Sequence, residues 1–184
     1  MCVCVCVFFC IRFVINGFGE PPNHFFFLSL YQMPPKYILL LPTTTTTTTS
    51  YPTQTGVRAT HSELSGRVAA GMDFTGEGMH DGNGHGSHVA GTCAGTTYGV
   101  AKGATIVPVK VLNTQGSGSY AAILAGIDWV KTQHEQSQGD RSVANLSLGG
   151  GYSAAINAAI EACVRAGVVV VVAALSAYGL ERKS

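Results

Sequence analysis

The stretch Asp81-Gly82-Asn83-Gly84-His85-Gly86-Ser87-His88-Val89-Ala90-Gly91-Thr92 sets two histidines three positions apart behind a run of alternate glycines. Glycine at 82, 84 and 86 lets the backbone take positive φ and lets another segment approach closely, while Ser87 and Thr92 add hydroxyls beside the loop. Small residues at helical spacing follow. The pattern predicts a tight loop that delivers His85 to the start of a buried helix, where the imidazole could serve as a general base. A satisfied structural histidine is the plainer alternative for the loop taken by itself.

Metal and cofactor chemistry find less support. His85, His88 and Cys93 could ligate a metal from one helix. Cys2, Cys4 and Cys6 form a Cys-x-Cys-x-Cys run, but no second ligand pair at a recognisable spacing completes it. No acidic cluster has the ligand count of a calcium site. Gly82-x-Gly84-x-Gly86 and Gly149-Gly150-Gly151 invite a nucleotide reading, yet neither forms the full phosphate-loop pattern after a strand with an acidic ribose partner downstream. Neither a metal nor a cofactor is therefore expected. Glycine at strand ends can instead let an extended peptide pair with the backbone as an added strand. With Lys and Arg at 11 against Asp and Glu at 10, no basic surface suggests a nucleic-acid or membrane partner.

A site of this kind needs a rigid frame, and from Thr55 onward the chain supplies one. The histidine helix is predicted over 85–96, with Val89, Ala90, Cys93 and Ala94 as a small-residue face packed on a sheet. Residues 104–112 read as one buried parallel strand, to which Pro108 is a mild objection. After a polar turn at 113–118, residues 119–131 carry Ile123, Leu124, Ile127 and Val130 at helical spacing. A second strand over 142–148 is closed by Gly149-Gly150-Gly151. A second amphipathic helix over 153–165 carries Ile156, Ala159, Ile160 and Cys163 on one face and stops at Gly167. The valine run 168–174 predicts a strand buried on both faces. Strand, helix and strand in alternation imply βαβ units with right-handed crossovers. The fold expected is α/β, a parallel sheet flanked by helices in three layers, with functional loops at the carboxyl ends of the strands.

His-Gly-Ser-His-Val-Ala-Gly-Thr over 85–92, preceded by Asp-Gly-Asn-Gly, closely resembles the histidine motif of subtilisin-like serine proteases, nearest to the proteinase K branch. The resemblance implies a serine-type endopeptidase acting on an extended peptide or protein, with His85 as the base of a Ser-His-Asp triad and His88 as a supporting residue. It favours the protease over the metal reading of the same helix. Residues 55–68 resemble the family's segment just after its catalytic aspartate, and Asn145-Leu146-Ser147-Leu148-Gly149-Gly150 resembles one of its substrate-binding strands. By the same resemblance Gly116-Ser117-Gly118 and Ser147-Leu148-Gly149 sandwich the substrate backbone. Leu148 then lines a pocket for a substrate side chain and Tyr120 sits at the rim of another. Ordinary packing would satisfy Leu148 and Tyr120 equally well. Family habit implies an extracellular or secretory location.

The resemblance spans 55–174 and departs from the family where chemistry is carried. The family has aspartate before Thr-Gly; here Gln54 stands there, with no negative charge to stabilise an imidazolium. Asp73 and Asp81 are the nearest carboxylates, and neither lies at the motif position. After Val-Val-Val-Val-Ala-Ala the family continues Gly-Asn, whose amide completes the oxyanion hole, whereas Leu175-Ser176 follow here. No Gly-Thr-Ser-Met-Ala nucleophile segment occurs in the 184 residues. Ser50-Tyr51-Pro52-Thr53 is no apolar strand, and Pro52 removes a ladder donor. The Cys/Val alternation near Met1 and the run Thr43–Thr49 are what simple nucleotide repeats yield on translation. Three segments are thus expected: a low-complexity or non-native, disordered leader over 1–54, a partial subtilisin-like peptidase domain over 55–174, and a divergent tail over 175–184. The domain so bounded is truncated at both ends. It is either an endopeptidase domain lacking the nucleophile, the triad aspartate and the oxyanion asparagine, or a catalytically inactive peptide-binding remnant.

Overall fold

Alternating β-branched runs and small-residue helices build a single sheet in the computed structural model, which describes residues 48–137 and 141–173. In chain order the elements are β1 (Thr48–Gln54), β2 (Met72–Asp73), α1 (His85–Ala94), β3 (Thr105–Ile106), β4 (Val109–Lys110), α2 (Tyr120–Gln136), β5 (Arg141–Leu146), α3 (Ala154–Ala166) and β6 (Val169–Val172). Every pairing is parallel, in the order β2-β4-β1-β5-β6, with β3 also on β1. Parallel neighbours need crossovers, and the helices supply them.

Two separate cores fix the layers. Ile123, Ile127 and Val130 of α2 and Cys163 of α3 pack with Tyr51, Val109, Ala144 and Leu146 of the sheet. Gly126 lets α2 lie close, because a Cβ there would meet Val111 Cγ1 at 2.5 Å. Trp129 meets Tyr51 edge-on, with ring centroids 6.3 Å apart. The second core joins Ala90 and Ala94 of α1 to Ile106, Val57 and Leu64. Helix, sheet and helix therefore form the three layers expected of an α/β fold. The helix ends follow local chemistry. Ser119 Oγ accepts from Ala122 N at 3.1 Å, Ser153 Oγ accepts from Ile156 N at 3.3 Å, and Gly167 ends α3 at φ 105°.

Three local expectations change. Thr48–Gln54 is the central strand of the sheet, buried along most of its length between β5 on one side and β3 and β4 on the other. Its polar composition hid it. Threonine and tyrosine favour strands, and in a parallel ladder a proline forfeits one bond while its neighbours keep theirs. Positions 1–47 of the expected leader, and all of the expected tail at 175–184, lie outside the described residues. The strand expected over 104–112 is split into β3 and β4 around Val107-Pro108, as the missing proline N–H would have it. The valine strand β6 is not buried on both faces: it is the last strand in the sheet order, and Val169 is half exposed.

Candidate active site

The first turn of α1 holds the histidine expected to do chemistry. A helix start leaves its leading N–H groups without intrahelical partners, and here the N-cap is Gly84, at φ 93°, with no side chain to help. Each amide nonetheless finds an acceptor. His85 N donates to Asn83 Oδ1 at 3.3 Å, Gly86 N to Thr55 Oγ1 at 2.9 Å, Ser87 N to Asp81 Oδ2 at 2.8 Å, and His88 N to Gly84 O at 3.0 Å. Gly86 is pressed so closely on the neighbouring backbone that a Cβ would come within 2.0 Å of Gly56 O. The start of α1 is thus sewn to the residues that follow β1.

His85 is half buried and His88 exposed. Burial, and then the positive field of His88, push the His85 imidazole below its ordinary value, while the Asp81 carboxylate pulls the other way. A neutral, proton-accepting ring at neutral pH follows. Burial alone would raise Asp81, but hydrogen bonds from Ser87, Gly84 and Thr55 outweigh it and hold the carboxyl below its usual range.

At the carboxyl end of β1, Gln54 is fully buried. Its Nε2 reaches Asn145 O at 3.5 Å, and its Oε1 is the one buried side-chain polar atom among the described residues with no hydrogen-bond partner. Beside it in register lies Lys110, also fully buried, whose Nζ donates to Thr55 O at 2.7 Å and stands 3.7 Å from Glu77 Oε2. The Glu77 carboxyl is held below its usual range, first by the hydroxyl of Thr114 and then by the Thr114 amide.

Two loops flank this centre. Gly116, Ser117 and Gly118 lie exposed between β4 and α2, and Ser147, Leu148 and Gly149 follow β5. Tyr120, the first residue of α2, joins them: its hydroxyl donates to Gly151 O at 3.2 Å. The histidine loop joins the first of them, since Asn83 Nδ2 donates to Thr114 O at 3.0 Å and a Cβ on Gly82 would meet Thr114 Cγ2 at 2.7 Å. Leu148 packs partly buried against the core. All the residues singled out for base and substrate thus sit on connected segments at the carboxyl ends of parallel strands. A cavity of about 630 Å³ on α1 is lined by His88, Arg58 and His61 together with Asp81, Gly84 and Ser87 of the histidine loop, and not by His85 or by the loops at 116–118 and 147–149.

Among the described residues no group of three or more His, Cys, Asp and Glu side chains is placed to hold a metal ion, so His85, His88 and Cys93 form no ligand set. Sequence reasoning passed over Thr55 and Lys110 and set Asp81 aside as out of place for a triad. The signal for Asp81 was present: Asp-Gly-Asn-Gly before a helix is turn chemistry that satisfies backbone amides. Thr55 and Lys110 act across the fold, which no local pattern shows.

The profile of the Subtilase family matches residues 53–174. The chain is 49% identical over 127 residues to the "Extracellular serine proteinase" of Thermus sp. (strain Rt41A), covering 68% of this chain and 30% of that protein. It is 48% identical over 125 residues to a subtilisin-like protease of Coccidioides posadasii (strain C735), covering 68% and 31%. It is 46% identical over 127 residues to "Subtilisin-like protease 5" of Arthroderma benhamiae, covering 68% and 32%. The chain therefore spans less than a third of the length of these curated relatives. Among solved structures, a cold adapted subtilisin-like serine proteinase matches at 43% identity and a TM-score of 0.63, over 68% of this chain and 45% of that one.

Proposed function

The chain belongs to the Subtilase family, and from that premise we propose that it carries part of a serine-type endopeptidase site in which His85 is the general base. The observation that carries this reading is the seam between β1 and α1. Thr55 and Asp81 tie down the backbone of the first turn of α1, which carries the half-buried His85, and burial and His88 depress that imidazole toward its neutral form. In a complete site a serine hydroxyl adds to the peptide carbonyl, the imidazole takes its proton and returns it to the leaving amine, and a carboxylate holds the ring and stabilises its charged form. Gly116-Ser117-Gly118 and Ser147-Leu148-Gly149 flank an extended substrate as an added strand, with Leu148 and Tyr120 beside its side chains. Substrates are peptides or proteins, and secretion is proposed by analogy with the Thermus relative, an extracellular serine proteinase.

We infer that these 184 residues do not turn over a peptide substrate. A carboxamide at 54 supplies no counter-charge, and loss of that carboxylate alone costs about four orders of magnitude in kcat in serine proteases. The nucleophile and oxyanion segments are also absent from the 184 residues. Incubation with a fluorogenic extended peptide is expected to give no release above buffer; release that disappears in His85→Ala would overturn the inactivity.

The buried, neutral Gln54 also favours a second reading, a cleft that binds peptides without cutting them. Fluorescence anisotropy of a labelled extended peptide would then show saturable binding that weakens in Gly149→Pro. Equal binding by that variant would remove the reading.

A further inference from the structure

Asp81 accepts five hydrogen bonds: from Thr55 Oγ1 at 2.8 Å, Asn83 N at 3.2 Å, Gly84 N at 2.8 Å, Ser87 N at 2.8 Å and Ser87 Oγ at 2.6 Å. Both of its oxygens are fully engaged, and the residue is 7% exposed. A carboxylate so occupied is a poor candidate for direct contact with substrate. It can act through what it holds and through its charge. What it holds is the first turn of α1, where an anion also meets the positive end of the helix dipole. It holds that turn from two sides, because the Thr55 hydroxyl that donates to Asp81 also accepts from Gly86 N. Asp81, Thr55 and Gly86 thereby form one chain of hydrogen bonds from the residue after Gln54 to the residue after His85.

The charge matters because of what surrounds the ring. On α1 itself His88 opposes a positive His85. β1 and β3, against which α1 packs, end in uncharged Gln54 and in Thr105-Ile106, and Thr55 adds a hydroxyl. Asp81 is the group whose field favours the imidazolium.

We propose that Asp81 is a positioning residue for His85, which fixes the ring's backbone to the end of β1 and supplies a fixed negative charge where position 54 supplies none. The proposal rests on the reading of His85 as the base. Its test needs no turnover, so failure of that reading and failure of this proposal are told apart.

The experiment follows the His85 ring through a pH titration by carbon-13 NMR, and amide exchange at Gly86 and Ser87, in the full 184-residue chain and two variants. Asp81→Asn is expected to lower the His85 midpoint and speed exchange at Ser87. Thr55→Val keeps the charge, and is expected to leave the midpoint in place while speeding exchange at Gly86 by about tenfold or more. An unchanged midpoint in Asp81→Asn would reduce the residue to a structural cap and overturn the proposal. If that variant does not fold, Thr55→Val decides: unchanged exchange at Gly86 overturns the proposed tether.

Discussion

Gln54 carries the largest consequence at the scale of single residues. Its Oε1 is buried without a partner, and an orphaned buried acceptor costs about 1–3 kcal/mol. Its Nε2 bond to Asn145 O is long, at 3.5 Å, and offsets little of that. Gln54→Met keeps the volume and removes both polar atoms, and is expected to stabilise the fold by about 1 kcal/mol in urea denaturation. Destabilisation would mean that the carboxamide has a partner. His85 sets a pH dependence of its own. Its folded midpoint lies below the ordinary 6.5, so the unfolded chain binds the proton more readily, and stability falls as pH drops from 6.5 through that midpoint. Asp81 and Asp73 are also held low: hydrogen bonds to each outweigh burial, so their contribution is present above 3.8 and is lost as pH falls through their folded midpoints. Denaturation midpoints measured from pH 8 to 3 are expected to show both declines, and a flat profile between pH 7 and 5 would contradict the first.

At the scale of elements, the helices test how local chemistry fixes the frame. Ser119 and Ser153 each cap a helix through one hydroxyl, and replacing either by alanine is expected to cost about 1 kcal/mol in the same assay. Gly86→Ala should act differently. A methyl there would strike the Gly56 carbonyl, so α1 must move off the end of β1, with a cost of about 1–3 kcal/mol and a perturbed His85 resonance. A variant with native stability and an unmoved resonance would show that the seam is loose. The three helices and β5 were legible in the sequence because their signals are local: small or apolar residues at helical spacing, a terminating glycine after α3 and a glycine run after β5. β1 was not. Its burial comes from strands on both sides and helices on both faces, so Thr48–Gln54 needs no apolar run to be central. The split between β3 and β4 was announced by Pro108, though an apolar run outweighed it in the reading.

For the whole molecule, the same contrast separates what the site shows from what it hides. His85 and the two glycine-rich loops, whose roles remain part of the proposal, were readable: the first as a histidine behind alternate glycines at a helix start, the loops from their resemblance to the family's substrate-binding segments. Asp81, Thr55 and Lys110 were not, since their roles arise only when the end of β1, the start of α1 and β4 come together. The proposed base site rests on that meeting point: in the proposal position 54 and His85 belong to one site, where a neutral residue at 54 leaves Asp81 as the carboxylate whose field favours the imidazolium. The most direct test is the NMR titration of the His85 ring in the native chain and in Gln54→Asp. A carboxylate at 54 is predicted to raise the His85 midpoint above that of the native chain. An unchanged midpoint in a folded Gln54→Asp protein would show that position 54 does not address the ring, and would contradict the account at its centre.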